Sequence, residues 1–376
     1  MDINCYVKVI KKEFNSIHSN RRRSLNKDDL ILNSDELILI TGSNGFIGIK
    51  VVKTLLEYGF SNLRCFVRPS SNLTTLNKII SSYDKAKVQV VSGNLLSRDD
   101  CKKATEGISV IFHLAAGVGK SFAGCVMDSV VTTRNLLESI LKVKNLKRFL
   151  NVSSIAVYSG AKINRGGLLD ETSLIETIPH KRCEAYVYGK IKQDELLMDY
   201  HKKNKIPYVI VRPGDVYGPG KRKLSGKVGL GTFGLYLHLG GSNRIPLLYI
   251  DNCADAIVLA GIKKGIDGEV FNIVDDDLPT SREFLRMYKK NVGHFKSIYI
   301  PYGIFYFLCY LWEKYSKWSR GQLPPHFNRL KCAAEWKNIR YSNQKIKKML
   351  GWDPIIPFDE ASKRYFEYMK NGDSKC

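Results

Sequence analysis

The chain has 376 residues, of which 44% are hydrophobic and 25% are charged, as in a globular protein with a large core. Nine scattered cysteines without a C-x-x-C pair predict free thiols in a reducing, cytoplasmic setting, and the seven histidines show no metal-ligand spacing, so no metal site is expected. The net charge of +23 indicates acidic partners or a lysine-rich solvated surface, and no nucleic-acid recognition motif accompanies it.

The first 35 residues are polar and precede the periodic part of the chain. They contain three consecutive arginines, at positions 21–23, among several Asn and Ser residues. No apolar stretch suggests a signal peptide. We therefore predict a polar N-terminal arm over residues 1–35 that is partly disordered.

Residues 40–48 (ITGSNGFIG) carry the strongest local signal, because they follow an apolar run and precede a helical pattern. In that context Gly42 allows a tight turn, Gly45 lets a phosphate approach the backbone, and Gly48 lets helix and strand pack closely. N–H groups at the start of the helix favour the pyrophosphate of a dinucleotide. The residues predicted to contact the cofactor here are Gly42, Asn44, Gly45, Phe46, Ile47 and Gly48.

The end of the second apolar run, at residues 63–67, bears on which dinucleotide binds. A carboxylate at this point would bind the ribose 2′-hydroxyl of NAD, but Arg64 and Arg68 stand there instead. An arginine can pair with the 2′-phosphate of NADP, so we predict NADP ahead of NAD. In the other interpretation, the arginine is exposed at the surface and does not contact the cofactor.

Residues 151–154 (NVSS) and the Tyr186…Lys190 pair predict proton-transfer chemistry. A tyrosine and a lysine four residues apart lie on one face of a helix. The ammonium group favours the phenolate, which would lower the pKa of Tyr186 below its usual value of about 10 and prepare it for acid/base work. A serine hydroxyl beside it would hold a carbonyl or alcohol oxygen.

Together, these motifs resemble the extended short-chain dehydrogenase/reductase family, also called the NAD-dependent epimerase/dehydratase family. The resemblance continues through residues 112–116 (FHLAA), 211–220 (VRPGDVYGPG), 249–256 (YIDNCADA) and 350–354 (LGWDP). It implies an α/β fold, a Rossmann-type doubly wound parallel sheet with a smaller C-terminal substrate-binding lobe. It also implies a homodimer that forms through the helix carrying Tyr186.

The resemblance assigns roles to the reactive side chains. Tyr186 is the acid/base, Lys190 holds the cofactor ribose, and Ser154 orients the reacting oxygen. Tyr188 and Lys192 form a second Tyr-x-x-x-Lys frame, which fits less well because only the first frame places Asp194 where the family often has an acidic residue. The further cofactor contacts that the resemblance implies are Arg68, Asn94, Leu95, Leu114, Ala115, Ala116, Tyr186, Lys190 and Pro213.

Two departures from the family pattern narrow the reaction. Ile155 and Ala156 replace the carboxylate pair of family members that eliminate water, and neither transfers protons, which argues against a 4,6-dehydratase. Ser129 stands where many members have an active-site asparagine, so a proton-relay role there is doubtful. An epimerase or a net dehydrogenase/reductase remains.

The chain divides into an arm, a cofactor domain and a substrate lobe. Residues 36–218, completed by residues 249–275, are predicted to form the NAD(P)-binding domain. Residues 219–248 and 276–376 are predicted to form the substrate-binding lobe.

Residues 297–312 contain no charge but are shorter than the roughly 20 residues of a membrane span. The favoured interpretation is a core helix of the lobe or a wall of an apolar substrate pocket. Because Lys314, Lys317, Trp318 and Arg320 follow, the alternative is that residues 297–320 anchor the protein peripherally at a membrane.

The substrate is a small molecule for which three hypotheses remain. A nucleotide sugar leads, because Lys221, Arg222 and Arg244 would suit a diphosphate near the mouth of the site. The alternative is an apolar alcohol, as in the 3β-hydroxysteroid dehydrogenase and dihydroflavonol reductase branch, which residues 67–71, 250–252 and 298–312 resemble. The third hypothesis is a dinucleotide sensor that has lost its chemistry.

Overall fold

The computed structural model describes residues 26–117, 121–232, 234–320 and 322–373, and a parallel sheet of seven strands forms the centre of this part of the chain. Its strands are β1 Ile38–Thr41, β2 Asn62–Val67, β3 Lys87–Ser92, β4 Val110–His113, β5 Arg148–Val152, β6 Tyr208–Pro213 and β7 Val270–Ile273. Their spatial order is β3-β2-β1-β4-β5-β6-β7, and every neighbouring pair is parallel. The predicted Rossmann-type sheet is confirmed, and its order reverses between β1 and β4.

Helices cover both faces of this sheet. The α-helices of the described ranges are Phe46–Glu57, Thr74–Ile80, Arg98–Thr105, Phe122–Cys125, Thr132–Ile140, Ala185–Asn204, Ile250–Ile262, Ser281–Asn291, Tyr302–Trp318, Arg329–Trp336, Gln344–Leu350 and Phe358–Asp373. A π-helix spans Val126–Val131, and 3₁₀ turns span Lys27–Asp29, Ile155–Val157, Gly160–Lys162 and Pro179–Arg182. Strand β1 shows the two faces, because Ile38 and Ile40 join one core cluster and Leu39 joins the other. Burial on both faces explains why the strand is apolar without alternation.

Of the predicted arm, residues 1–25 lie outside the described residues. From residue 26 the chain packs on the helix Ile250–Ile262. The Ile31 N–H donates to the Ile262 carbonyl oxygen at 2.8 Å, and Leu32 is buried in the main core cluster.

Short sheets and helices lie at the C-terminal edge of the main sheet. Gly229–Thr232, Leu235–His238 and Ser297–Tyr299 form one small sheet, Asp215–Tyr217 pairs with Leu247–Tyr249, and Leu168–Leu169 pairs with Arg340–Tyr341. The helices Tyr302–Trp318 and Arg329–Trp336 meet over a separate core cluster that contains Phe305, Cys309 and Trp336. In the described residues, no helix is long and apolar enough to cross a membrane.

Candidate active site

The glycine turn after β1 has the geometry that a dinucleotide requires. Gly42 has a φ of +69°, and a Cβ added there would lie 3.0 Å from the Ala115 nitrogen. A Cβ on Gly48 would lie 2.0 Å from the Gly42 carbonyl oxygen, so the helix and the turn are in contact. The cap residue Gly45 offers no side chain to the first helical N–H groups, which leaves them for a phosphate. These residues therefore fit a dinucleotide.

A cavity of about 350 Å³ lies on one side of this turn. Nine of the predicted cofactor residues line it: Gly42, Asn44, Gly45, Arg68, Asn94, Leu95, Leu114, Ala115 and Ala116. They come from the ends of several parallel strands, where ligands of open α/β sheets bind. This cavity suits the adenosine half of the cofactor.

A second cavity, of about 380 Å³, lies on the other side of the turn. Phe46 and Ile47 line it together with Ser154 and Tyr186, so the two cavities flank the start of one helix. A dinucleotide lying across that helix start would place its reactive end beside the predicted catalytic hydroxyls. Three predicted cofactor residues line neither cavity: Gly48, Lys190 and Pro213.

Two of the three predicted catalytic residues, Ser154 and Tyr186, line the second cavity. Ser154 follows β5 and accepts a hydrogen bond from the Ala156 N–H at 3.2 Å. Tyr186 lies in the first turn of the helix Ala185–Asn204. Lys190, one turn further on, is buried, and its ammonium donates to the Val152 carbonyl oxygen and, at 3.0 Å, to Gln193 Oε1.

Burial has the largest effect on the pKa values of Tyr186 and Lys190. It raises the pKa of Tyr186 to about 12, against the opposing hydrogen bond to Ser154. It lowers the pKa of Lys190 to about 8, against the opposing charge of Asp194. The prediction that the pKa of Tyr186 lies below its usual value is therefore wrong for this structure, because burial outweighs the opposing hydrogen bond.

The second Tyr-x-x-x-Lys frame points away from the cavity. Lys192 is exposed and pairs with Glu195 at 2.6 Å. Tyr188 packs edge-on against Phe122, with the ring centroids 5.6 Å apart. The geometry supports Tyr186 and Lys190 as the reactive pair.

Asp194 is a buried carboxylate that accepts three side-chain hydrogen bonds, and we call this cluster the Asp194 hub. Sequence reasoning used Asp194 only to choose between the two frames. Its carboxylate accepts hydrogen bonds from Asn151 Nδ2 at 2.9 Å, Ser153 Oγ at 2.8 Å and Arg212 Nη2 at 3.2 Å. Burial raises the pKa of Asp194, and the Arg212 guanidinium opposes that rise. Because Asn151 and Ser153 lie at the end of β5 and Arg212 on β6, the hub fixes the catalytic helix to both strands.

A second polar chain runs from Lys190 into the sheet. Gln193 Nε2 donates to Thr133 Oγ1 at 2.7 Å, and the His113 ring lies between Thr133 Oγ1 at 2.9 Å and Thr41 Oγ1 at 2.7 Å. Burial, with Lys190 nearby, lowers the pKa of His113 to about 3 and keeps the ring neutral. Gln193 was detectable as the i+3 neighbour of Lys190, but nothing in the sequence linked it to His113 or Thr133.

Ser129, which stands where many family members have an active-site asparagine, hydrogen-bonds the backbone. Its buried hydroxyl accepts a hydrogen bond from the Gly117 N–H at 2.9 Å, within the π-helix Val126–Val131. It serves the backbone there.

Most of the second cavity is apolar. Beyond the catalytic residues and the glycines, its uncharged lining consists of Phe46, Ile47, Ile155, Ala156, Tyr158, Leu169, Val216, Pro246, Ala334, Ile339 and Tyr341. Its cations are Arg182, Lys221 and Lys227, and sequence reasoning identified only Lys221.

Each cation of the cavity has a carboxylate partner. Lys221 Nζ lies 3.0 Å from Asp215. Arg182 pairs with Glu184 at 2.6 Å, and Lys227 pairs with Glu335 at 3.4 Å. Pairs of this kind cancel much of the positive field that a diphosphate would need.

The other two predicted diphosphate ligands lie outside the cavity. Arg244 donates to the Leu278 carbonyl oxygen, and the Arg222 guanidinium lies over the Tyr368 ring at 5.5 Å. Of the three predicted diphosphate ligands, only Lys221 lines the second cavity.

The two arginines of β2 differ in what they can bind. Arg64 donates to the Ala104 and Glu106 carbonyl oxygens at the end of the helix Arg98–Thr105, at 2.9 and 2.8 Å. Arg68 lines the first cavity and is 70% exposed, with Asp128 at 3.9 Å. Only Arg68 of the two faces the cofactor cavity.

Comparison with known proteins agrees with this geometry. A family model described as NAD dependent epimerase/dehydratase family matches residues 38–274, more than half of the chain. A decarboxylating sterol-4-alpha-carboxylate 3-dehydrogenase of Mus musculus is 25% identical over 347 residues, covering 86% of this chain and 88% of the relative. A protein of the same description from Candida albicans is 27% identical over 357 residues, covering 88% and 97%.

Solved structures show the same fold. UDP-glucuronic acid 4-epimerase from Bacillus cereus, in complex with UDP-glucuronic acid and NAD, is 24% identical with a TM-score of 0.67. The match covers 89% of this chain and 99% of that structure. The family match covers more than half of the chain, and the glycine turn and the Ser-Tyr-Lys residues agree with it. The chain therefore belongs to the NAD-dependent epimerase/dehydratase family of extended short-chain dehydrogenases/reductases.

Proposed function

We propose that the chain is an NAD(P)-dependent dehydrogenase or reductase of an apolar alcohol, of the 3β-hydroxysteroid dehydrogenase type. The observation that carries the proposal is the second cavity, whose lining is mostly apolar and whose three cations are each paired with a carboxylate. The sterol dehydrogenases named above, similar over 86% or more of this chain, support it. The order of the two hypotheses from the sequence is thereby reversed.

The chemistry would use the hydroxyl pair at the floor of the cavity. Ser154 would hold the alcohol or ketone oxygen of the substrate, and the Tyr186 hydroxyl would take or give the proton on that oxygen. A bound nicotinamide supplies or accepts the hydride. Lys190 would bind the cofactor ribose with the one ammonium N–H that Val152 and Gln193 do not use.

We propose NADP ahead of NAD as the cofactor. Arg68 faces the first cavity, and β2 ends without a carboxylate that would favour a free 2′-hydroxyl. The exposed Asp128 beside Arg68 weakens this preference, since its charge opposes that of a 2′-phosphate. NAD is the alternative, and it is the cofactor of the Bacillus cereus structure.

A ligand-induced shift in thermal unfolding tests the substrate class. We expect a 3β-hydroxysteroid to raise the unfolding temperature of the cofactor-saturated protein, because a ligand present at 100 times its Kd adds about 2.7 kcal/mol. We expect UDP to have no more effect than inorganic diphosphate, which controls for binding to the basic surface. A shift with UDP beyond that control, without one from the steroid, would return the nucleotide sugar to first place.

A further inference from the structure

One side of the helix Tyr302–Trp318 is an exposed apolar surface. We call it the aromatic face; its members are 46% to 77% exposed and are Ile304, Phe307, Leu308, Leu311, Tyr315 and Trp318. Their spacing of three and four residues places them on one side of the helix. Contiguous apolar surface of this kind marks a contact with a partner or a membrane.

The opposite side of the same helix is already packed. Phe305 and Cys309 are buried, and the Phe305 ring contacts Trp336 at a centroid distance of 5.2 Å. The predicted core helix is thus correct for this side only. Packing among the residues that the structure describes does not cover the aromatic face.

Basic residues accompany the aromatic face along the chain. Lys314 and Lys317 lie in the C-terminal half of its helix, and Arg320 follows the helix. Between residues 289 and 348 the chain has 13 basic and two acidic residues, a difference of +11, and Lys345 and Lys347 pair with acidic residues outside this range. Both acidic residues have cationic partners, since Glu313 pairs with Arg329 and Glu335 with Lys227.

We propose that the aromatic face docks the protein on an anionic lipid surface. The apolar side chains would enter the headgroup region, while Lys314, Lys317 and Arg320 meet the lipid phosphates and carboxylates. A second copy of the chain suits this surface less well, because it would bring like charges together in a protein of net charge +23. With its inner side packed in the protein, the helix would lie in the plane of the interface.

The inner side of the helix lies near the candidate active site. A groove of about 740 Å³ is lined by Tyr302, Tyr306 and Lys317 of this helix and also by Ala161 and Ala333. The neighbours of these two alanines, Gly160 and Ala334, line the second cavity. The docking on lipid does not rest on the proposed function.

Vesicle flotation of the full chain tests the docking. We expect the protein to float with vesicles of phosphatidylcholine mixed with phosphatidylserine, and to float less with phosphatidylcholine alone. The double substitution Phe307→Glu and Leu311→Glu should reduce the bound fraction at least about tenfold, because it removes two large apolar groups. Leu174→Glu is the control, an exposed leucine outside this helix, and should bind like the wild type.

Two further measurements separate the electrostatic contribution to docking from the apolar contribution and from any effect on protein stability. Exchanging Lys314, Lys317 and Arg320 for Gln should lose about fivefold in affinity for anionic vesicles per residue, and little for neutral ones. The double substitution should leave the thermal unfolding temperature unchanged, because both side chains are exposed.

Three outcomes would overturn the proposal. The first is that the wild type does not float with anionic vesicles, and the second is that the double variant floats as well as the wild type. The third is that the double substitution turns a dimer into a monomer without any vesicle binding, which would assign the face to a second copy. Flotation needs no substrate, so its failure is distinguishable from failure of the proposed function.

Discussion

Replacing Tyr186 with Phe should lower turnover by about 10²- to 10⁴-fold, the range for loss of a general acid/base. The substitution removes one hydroxyl from a side chain that lines the second cavity together with Ser154. The ring remains, so cofactor affinity and the unfolding temperature should change little. Steady-state rates and a cofactor titration on the same preparation measure both effects.

Tyr188→Phe is the matched control for this experiment. It removes the same atom from the same helix, at the tyrosine of the second frame, where the ring packs on Phe122. Turnover close to wild type is expected. If Tyr188→Phe abolished turnover and Tyr186→Phe did not, the assignment of the reactive pair would be wrong. A cellular function that survived Tyr186→Phe unchanged would favour the dinucleotide sensor.

Asp194→Asn should destabilise the fold by about 3–5 kcal/mol, the usual cost of removing one partner of a buried ion pair. The Arg212 guanidinium is nearly fully buried and would lose its carboxylate. The new amide N–H₂ group would also face one of the present donors, Asn151, Ser153 or Arg212. Chemical denaturation with the midpoint and slope fitted separately gives the loss in unfolding free energy.

Glu195, the residue next to Asp194, provides the control for that loss in unfolding free energy. Glu195 is on the same helix, is 53% exposed and pairs with the exposed Lys192. Glu195→Gln should therefore cost no more than about 1 kcal/mol. Equal losses for the two substitutions would show that the Asp194 hub does not hold the helix to β5 and β6.

The fold was predictable because its signals are local. Most strands of the main sheet are short apolar runs, and the run predicted at residues 63–67 lies within β2. The glycine turn was predictable for the same reason, since Gly42, Gly45 and Gly48 act within one turn and the helix that follows.

The candidate site was predictable where a strand end or a helix face carries it. Ser154, after a strand, and Tyr186, at the start of a helix, line the same cavity, whereas Lys190 is buried one helical turn further on. The pKa of Tyr186 was not predictable, because it depends chiefly on burial, which only the folded structure shows.

The walls of the second cavity show why the sequence placed the nucleotide sugar ahead of the apolar alcohol. Lys227 and Glu335 are 108 residues apart in the chain, and only the folded structure shows that they neutralise each other. Counting cations in the sequence therefore overstated the positive charge of the cavity. Arg244 likewise lines a different groove, beside Asp276 and Glu283.

The most direct test of the proposed activity is the rate of NADPH or NADH formation with a 3β-hydroxysteroid, compared with the rate with UDP-glucose or UDP-glucuronic acid. Each oxidised cofactor is supplied in turn, the wild type and Tyr186→Phe are assayed in parallel, and products are analysed so that epimerisation without net reduction is also detected. The account predicts steroid oxidation, faster with NADP than with NAD and lost in Tyr186→Phe, and no conversion of either UDP-sugar. Conversion of a UDP-sugar without steroid oxidation would contradict it.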